Sequence, residues 1–265
     1  MLSEALEQAL AQAGGRLRLR HRLQRLVAGP AGWRLEGLVA GQRPFALEAE
    51  QVVNTLPPQL LPDLLDGTLP EGYRQRISAF PDPSGALVLY AAVPRACLPE
   101  TLGLHAQQEW ADPGNLFVSI SAEGDGRAPR GQATLIASVF TPARPWFDLP
   151  EPLYQQRKQQ AMAGIQAGLR HLLGLQPGDY LHAELATPRG FAGWTGRPFG
   201  FVGGLGQHPS RFGPFGLASR TPLPGLWLCG DAIYPGEGTA GVSLSAFTAC
   251  RQLLATMGRD LELAA

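Results

Sequence analysis

The chain has 265 residues, of which 45% are hydrophobic and 17% charged, so it can bury a sizeable core and extensive disorder is not expected. Lys+Arg and Asp+Glu both number 22, and a net charge of zero gives no field favouring nucleic acid or an acidic membrane surface. The three cysteines are far apart and form no C-x-x-C pair, which argues against a disulfide framework or a metal site and fits a reducing, cytoplasmic setting.

The first part of the chain is predicted to be a helix followed by a small antiparallel sheet. Leucines and alanines at helical spacing predict a helix over 3–13, ended by Gly14-Gly15. Leucines alternate with arginines over 16–28, which predicts a strand that buries Leu17, Leu19 and Leu23. The other interpretation, a basic stripe for nucleic acid, is less typical of a neutral chain. Further short strands are predicted within 33–41, 44–50 and 51–58.

The middle of the chain has the pattern of a separate lobe. Strands are predicted at 85–93, 115–121, 132–140 and 180–188. Residues 151–174 predict a long helix whose apolar face carries Met162, Ile165, Leu169 and Leu172. The segment 188–225 is dense in glycine, proline and aromatic residues without periodicity, and it is predicted to form long packed loops.

Residues 236–241, GEGTAG, match the G-x-G-x-x-G fingerprint of a dinucleotide-binding strand–loop–helix unit. A strand at 225–229 precedes them and a helix follows, but GDAIYP separates strand and glycines, and too little sequence follows for a second parallel strand. The context therefore disfavours a Rossmann phosphate loop.

A glycine-rich approach to a helix N-terminus remains. The missing side chains of Gly236, Gly238 and Gly241 let a bulky ligand approach the backbone, and free N–H groups face it. Asp231 can accept hydrogen bonds from sugar or ribityl hydroxyls. This pattern favours a ligand site, although an ordinary helix cap beside a turn acid is the alternative.

Two segments near the C-terminus carry a family resemblance: GLWLCGDAIYPGEGTAGVSLS, residues 225–245, and TPRGFAGWTGRPFGFVGG, residues 187–204. With AQAGGRLRLRHRLQRLV and AEQVVNTLPPQLL in the first part, the chain resembles the C-terminal half of FAD-dependent phytoene desaturases and carotenoid isomerases, within the amine-oxidase-like flavin superfamily. The wording GEGTAGVS is most similar to the carotenoid 3',4'-desaturase branch.

The resemblance implies an α/β (mixed α+β) chain in three parts. Residues 1–66 would be part of an FAD/NAD(P)-binding domain of the glutathione-reductase-like type, 67–187 an antiparallel-sheet substrate domain, and 188–265 the C-terminal FAD-binding segment. The family's N-terminal dinucleotide-binding βαβ unit is absent from this sequence. We therefore expect a truncated chain, or an upstream polypeptide that supplies the missing half.

The resemblance also implies site residues. Asp231 would hold the ribityl or pyrophosphate region of FAD, the glycine-rich helix start would face the pyrimidine edge of the flavin, and the backbone near Leu23 would lie by the adenine. The cofactor-binding set is Leu23, Gly230, Asp231, Pro235, Gly236, Gly238, Thr239, Ala240, Gly241 and Val242. A helix N-terminus there would stabilise the reduced flavin anion. No catalytic residue is predicted, because the cofactor carries the redox chemistry.

The implied substrate is a carotenoid or another apolar polyene, which would be desaturated or isomerised. Candidate substrate contacts are Phe191, Trp194, Phe199 and Tyr234, although these aromatics could equally fill a core. Residues 144–150 could dip into a membrane peripherally or pack in the core. Two rival functions stay open: a flavin amine oxidase, for which the only lysine, Lys158, lies in a polar helix stretch, and a non-catalytic isoprenoid-binding fragment.

Overall fold

The computed structural model of the chain describes residues 2–80, 82–100, 103–109, 114–205 and 213–262. The described residues belong to two compact units. Unit 1 contains 2–80 and 213–262, and unit 2 contains 82–205. The mixed helix and sheet class with antiparallel sheets is as predicted.

Unit 1 begins with an exposed helix and a three-stranded meander. Its elements are α1 (Leu2–Gln12), β1 (His21–Gly29), β2 (Gly32–Val39), β3 (Arg43–Ala49), β4 (Val52–Asn54), α2 (Leu61–Leu64), α3 (Glu71–Ser78), β10 (Leu226–Leu228) and α6 (Gly238–Thr256). The meander pairs antiparallel in the order β1-β2-β3.

The predicted strand over 16–28 is wrong in its first part. β1 begins at His21, and Leu17 and Leu19 are exposed. Arg20 has a φ of 59°, a left-handed turn conformation that ends regular alternation before the strand. Leu26 instead supplies the buried residue of β1, where it faces Leu35 of β2.

A parallel pair of short strands joins the two halves of unit 1. Residues Val52, Val53 and Asn54 of β4 pair with Leu226, Trp227 and Leu228 of β10. The core of the unit lies around this pair, with the buried residues Leu26, Trp33, Leu61, Leu64, Leu65, Leu69, Ile77, Leu217, Leu226, Leu228 and Ile233.

Unit 2 is a five-stranded antiparallel sheet covered on one face by a long helix. Its elements are β5 (Ser84–Pro94), β6 (His105–Gln108), β7 (Leu116–Ile120), β8 (Gln132–Pro142), α4 (Glu151–Leu173), β9 (His182–Ala186) and α5 (Pro188–Thr195). The strand order is β6-β7-β8-β5-β9. Every second residue of the central strands is therefore directed to the same side.

The buried side of this sheet forms the core of unit 2. Leu87, Leu89 and Ala91 of β5 lie opposite Val139, Ala137 and Leu135 of β8, and all six are buried. Helix α4 covers them. Ile165 and Leu169 are fully buried as predicted, while Met162 and Leu172 are only partly buried and pack against the same core.

Segment 188–225 is not loop throughout. Pro188 occupies the first turn of α5, where its missing N–H costs nothing, and Gly196 ends the helix with a φ of 69°. The helix belongs to unit 2. Beyond its end, the Val202 N–H donates to the Ser84 carbonyl at 2.8 Å. The boundaries of the units thus differ from the sequence-based division, with 67–80 in unit 1 and 188–205 in unit 2.

Within the described ranges, no helix combines the length and apolar composition needed to cross a membrane.

Candidate functional site

The two parallel strands of unit 1 end side by side. The Cys229 N–H donates to the Asn54 carbonyl at 3.0 Å, just beyond the last strand pair. Asn54 is buried, and its amide donates to the Leu56 carbonyl at 3.0 Å, which fixes the chain as it leaves β4. In open sheets with parallel strands, ligands bind outside the carboxyl ends of those strands. Gly230 and Asp231 follow directly at this edge.

A tight turn connects β10 to α6. The Ile233 N–H donates to the Gly230 carbonyl at 3.2 Å, and the Gly236 N–H donates to the Ile233 carbonyl at 2.9 Å. The Gly230 N–H donates to the Oγ of Ser245, a fully buried residue two turns into α6. The strand end is therefore held to the helix by a buried side chain.

Glycine is required by geometry at two positions of this turn. Gly236 has a φ of 119°, which side chains with a Cβ rarely adopt. A Cβ on Gly241 would clash with the Gly236 carbonyl oxygen and lie 3.0 Å from the carbonyl carbon. The first turn of α6 thus rests directly on the backbone of the preceding turn. Around Gly238, by contrast, the space a Cβ would occupy is open.

The N-terminus of α6 is accessible. The residue before it, Glu237, makes no side-chain capping bond, and the first turn of α6 contains no acidic residue. Thr239 and Ala240 are exposed, and Val242 is half-buried. Four N–H groups begin every α-helix without partners inside it, and the helix dipole is positive there. The arrangement can hold an anionic or hydrogen-bond-accepting group.

The predicted cofactor residues all lie in unit 1. Asp231 and Pro235 are half-buried in the turn, and the Tyr234–Pro235 peptide bond is cis. Leu23 is half-buried in β1, next to a register shift in the pairing with β2, and packs against the core of the unit. The glycine-rich residues are brought together by the turn.

The four predicted substrate contacts are divided between the two units. Tyr234 belongs to unit 1 and the other three to unit 2. Trp194 is 93% exposed at the end of α5, and Phe191 is half-buried. Phe199 packs edge-on against Phe147 with ring centroids 5.3 Å apart.

Segment 144–150 packs into unit 2 through its buried residue Trp146. Trp146 is 1% exposed, and its backbone carbonyl accepts a bond from Nε of Arg189 at 2.8 Å. Arg189 also lies over the ring of Tyr154 at 4.1 Å. These contacts favour the core-packing interpretation of the segment over a membrane lip.

Sequence reasoning missed Ser245 and Asn54, which hold the turn and the end of β4. A serine within an apolar helix and an asparagine ending a strand were visible, but no local pattern shows that Ser245 accepts from the Gly230 N–H or that the Asn54 carbonyl accepts from the distant Cys229 N–H. Within the described part of the chain, no group of three His, Cys, Asp or Glu residues is arranged to hold a metal ion.

The backbone first identifies a class of fold. A redesigned putrescine oxidase superposes with a TM-score of 0.63 and 17% identity, over 94% of this chain and 51% of that one. An oxidoreductase from Methanosarcina mazei superposes with a TM-score of 0.57 and 14% identity, over 97% of this chain and 53% of that one. The chain therefore shares the fold of about half of a putrescine oxidase and of an oxidoreductase.

The sequence then narrows the relationship. A chloroplastic prolycopene isomerase of Daucus carota is 26% identical over 151 residues, which are 56% of this chain and 24% of the relative. A hydroxyneurosporene desaturase of Cereibacter sphaeroides is 29% identical over 171 residues, 64% of this chain and 32% of the relative. No protein-family model matches. The chain is similar in sequence to this prolycopene isomerase and this hydroxyneurosporene desaturase, as the resemblance predicted, and the match spans about a quarter to a third of their length.

Proposed function

We propose that the chain is part of an FAD-dependent oxidoreductase that desaturates or isomerises an apolar polyene. The observation that carries the proposal is the turn from β10 into α6, where Gly241 rests on the Gly236 carbonyl and the helix start carries no side-chain cap. The names of the sequence relatives, an isomerase and a desaturase of polyenes, support the substrate class.

The residues present fit a flavin. The open space around Gly238 lets a flat ring approach the backbone, and the N–H groups of the exposed residues Thr239 and Ala240 suit the oxygen-rich edge of the ring. Asp231, at the carboxyl end of β10, is placed as a hydrogen-bond acceptor for ribityl hydroxyls. When bound, flavin supplies hydride acceptance, for which no side chain is a substitute.

The chain's own residues would supply electrostatics and position. The dipole of the 19-residue α6 is positive at its first turn and would favour negative charge on a group bound there. Ser245 holds the turn from behind through the Gly230 N–H. The protein's contribution would therefore be binding, orientation and charge stabilisation.

A further segment would complete the nucleotide site. The pair β4–β10 is a parallel sheet of two strands, whereas parallel sheets are normally larger and covered on both faces. Val53 of β4 has a side chain that is 40% exposed. A βαβ unit added beside β4, from an upstream polypeptide, would supply the phosphate loop that FAD needs.

An amine oxidase on the same fold is less well supported. Lys158, the only lysine of the sequence, lies in the middle of α4 in unit 2. The likeness to amine oxidases is at 17% identity and shows the fold alone.

Flavin content tests the proposal. The purified chain should take up FAD, alone or with an added βαβ segment from the desaturase relative, and Asp231→Ala should lose it. Asp260→Ala, an exposed acid of the same unit, is the matched control and should keep wild-type flavin. If flavin binds neither to the chain alone nor to the chain with the added βαβ segment, the cofactor assignment is wrong. If Asp231→Ala keeps stoichiometric flavin, the role given to Asp231 is wrong.

A further inference from the structure

Helix α1 carries an apolar face that is exposed. Leu2, Leu6 and Leu10 recur at i, i+4 and i+8, so they form one row along the helix. Their exposures are 68%, 63% and 43%. Glu4 and Glu7 lie on the other side, as in a helix that packs one face against a core. In the part of the chain that the structure describes, no residue of α1 is buried or belongs to the core of unit 1.

The length of α1 makes this exposure costly. Helices shorter than about 12–15 residues are marginal in water by themselves, and packing of an apolar face supplies most of their stability in proteins. The helix has 11 residues, contains no glycine or proline, and is rich in leucine and alanine, which are strong helix formers. A helix of this composition and length therefore needs a partner for its leucine row.

The segment that follows α1 is also open to pairing. Residues 16–19, RLRL, belong to no helix or strand, and within the described chain their N–H groups donate no main-chain hydrogen bond. Leu17 is 52% exposed and Leu19 is 72% exposed. In an extended segment these two leucines share one face and the arginines share the other. Free N–H groups beside alternating leucines suit the edge of a further sheet.

Strand β4 offers a second place for pairing. Among the described strands it pairs with β10 alone, and Val53 and Leu56 are 40% and 44% exposed. A βαβ unit has two neighbouring strands, so pairing one of them with β4 leaves the other with an open edge. Segment 16–19 has the free N–H groups for that edge. Together with α1, the surface approaches the roughly 20–30 residues per partner of a standard protein interface.

We propose that α1 and segment 16–19 form a docking surface for the βαβ polypeptide that completes the fold. The inference rests on the proposed function and adds a second contact to the one at β4. The solved relatives support this occupant, because the alignment covers 97% and 94% of this chain but only 53% and 51% of theirs. About half of each relative thus has no counterpart in this sequence. Docking would bury the leucine row of α1 and turn 16–19 into a strand.

The probe is the N-terminal half of the hydroxyneurosporene desaturase of Cereibacter sphaeroides, expressed separately and mixed with the full chain without FAD. A titration followed by analytical ultracentrifugation measures the association. Leu6→Asp/Leu10→Asp should weaken it by at least about tenfold, because two carboxylates would be buried in the apolar row. The matched control is Leu153→Asp/Leu181→Asp, since these leucines of unit 2 are 52% and 56% exposed. It should bind within about twofold of wild type.

A second variant leaves the helix intact. Leu17→Asp/Leu19→Asp changes residues outside every described helix and strand, and it should weaken the association to a similar extent. Hydrogen exchange gives an independent readout. The amides of 2–19 should be unprotected in the chain alone and protected once the desaturase half is added. Wild-type affinity in both variants would overturn the inference, and so would the absence of any association with the half.

Two other occupants of the surface would also overturn the inference. A dimer of the chain that Leu6→Asp/Leu10→Asp dissociates would make the leucine row an interface between copies. Binding to vesicles of anionic phospholipid without association with the half would assign the surface to a membrane. FAD is added only after these measurements. Association without flavin uptake would refute the proposed function alone, and flavin uptake with wild-type affinity in both variants would refute the docking surface alone.

Discussion

Units 1 and 2 use backbone and side chains in different ways. In unit 1 the candidate site is backbone: glycines, N–H groups and a helix start, held by the buried Ser245. In unit 2 one face of the sheet is the core, and the opposite face carries large, accessible side chains such as Tyr90, Phe117 and Phe140. The difference teaches where each unit is sensitive to substitution: unit 1 depends on the absence of side chains at the turn, and unit 2 on the packing of side chains in its core.

The largest effect is expected in the core of unit 2. Leu89→Ala should lower the free energy of unfolding by about 4 kcal/mol, because Leu89 is 0% exposed on the central strand β5. Ile136→Ala, on the opposite face, should cost less than about 1 kcal/mol. Chemical denaturation measures both. Similar losses would contradict the distinction between a core face and an exposed face of the sheet.

A backbone site should respond to a single methyl group. Gly241→Ala should cost about 3 kcal/mol, because its Cβ would press on the Gly236 carbonyl and force the turn to shift. The matched control is Gly72→Ala in α3, where the added Cβ meets open space and helix propensity should add up to about 1 kcal/mol of stability. In the Gly241→Ala variant, hydrogen exchange should show reduced amide protection in unit 1 only. Unchanged protection of 229–242 would refute the contact argument.

Removing one hydroxyl should loosen the same turn moderately. Ser245→Ala leaves the Gly230 N–H without its acceptor and should cost about 1–2 kcal/mol. Ser243→Ala, an exposed serine of the same helix, should be near neutral. Thermal unfolding of the pair separates the buried bond from a general effect of alanine. Equal melting temperatures for the two variants would show that the bond contributes nothing.

The smallest effect is a pH dependence in unit 1. Burial raises the pKa of Tyr73 to about 12 from 10.0, and the buried hydroxyl has no hydrogen-bond partner among the residues that the structure describes. The neutral form is favoured in the folded state, so this stability is complete below pH 10 and is lost as pH rises toward 12. The loss should be about 1 kcal/mol, since partial exposure screens the group.

Tyr73→Phe should abolish that component and leave stability at pH 7 unchanged or slightly higher, because an unpartnered hydroxyl is removed. Denaturation midpoints from pH 8 to 12 give the comparison. If the denaturation midpoint depends on pH with the same slope in the variant and the wild type, Tyr73 is not the source of the pH dependence.

Local patterns predicted most elements of the fold, because helices and strands follow from periodicity. Helix α4 and strands β5, β7 and β8 were predicted within a few residues. The polar β6 was missed, since HAQQ carries no apolar alternation. Helix α5 was missed because Pro188, Gly190 and Gly193 look like loop composition, although proline suits a first turn.

The candidate site was only half visible in the sequence. Its glycines and Asp231 stand together in one segment and could be recognised. Their parallel neighbour β4 lies far away in the chain, and no local pattern predicts a pairing at that separation. The sequence also does not predict which residues of β5, β7 and β8 lie side by side on the exposed face of the sheet in unit 2, because only the strand register brings them together.

The pairing of β4 with β10 has a consequence for the order of folding. The Trp227 indole donates to the Gln51 side chain across 176 residues, and all of unit 2 lies between them in sequence. On the ribosome, unit 2 is synthesised before β10 emerges, so unit 2 can fold while β4 is still unpaired with β10. Closing so long a loop is entropically costly and slow. We infer that the glycine-rich turn is the last part of the molecule to form. The unfolded segments that precede this step expose apolar residues to which chaperones would bind.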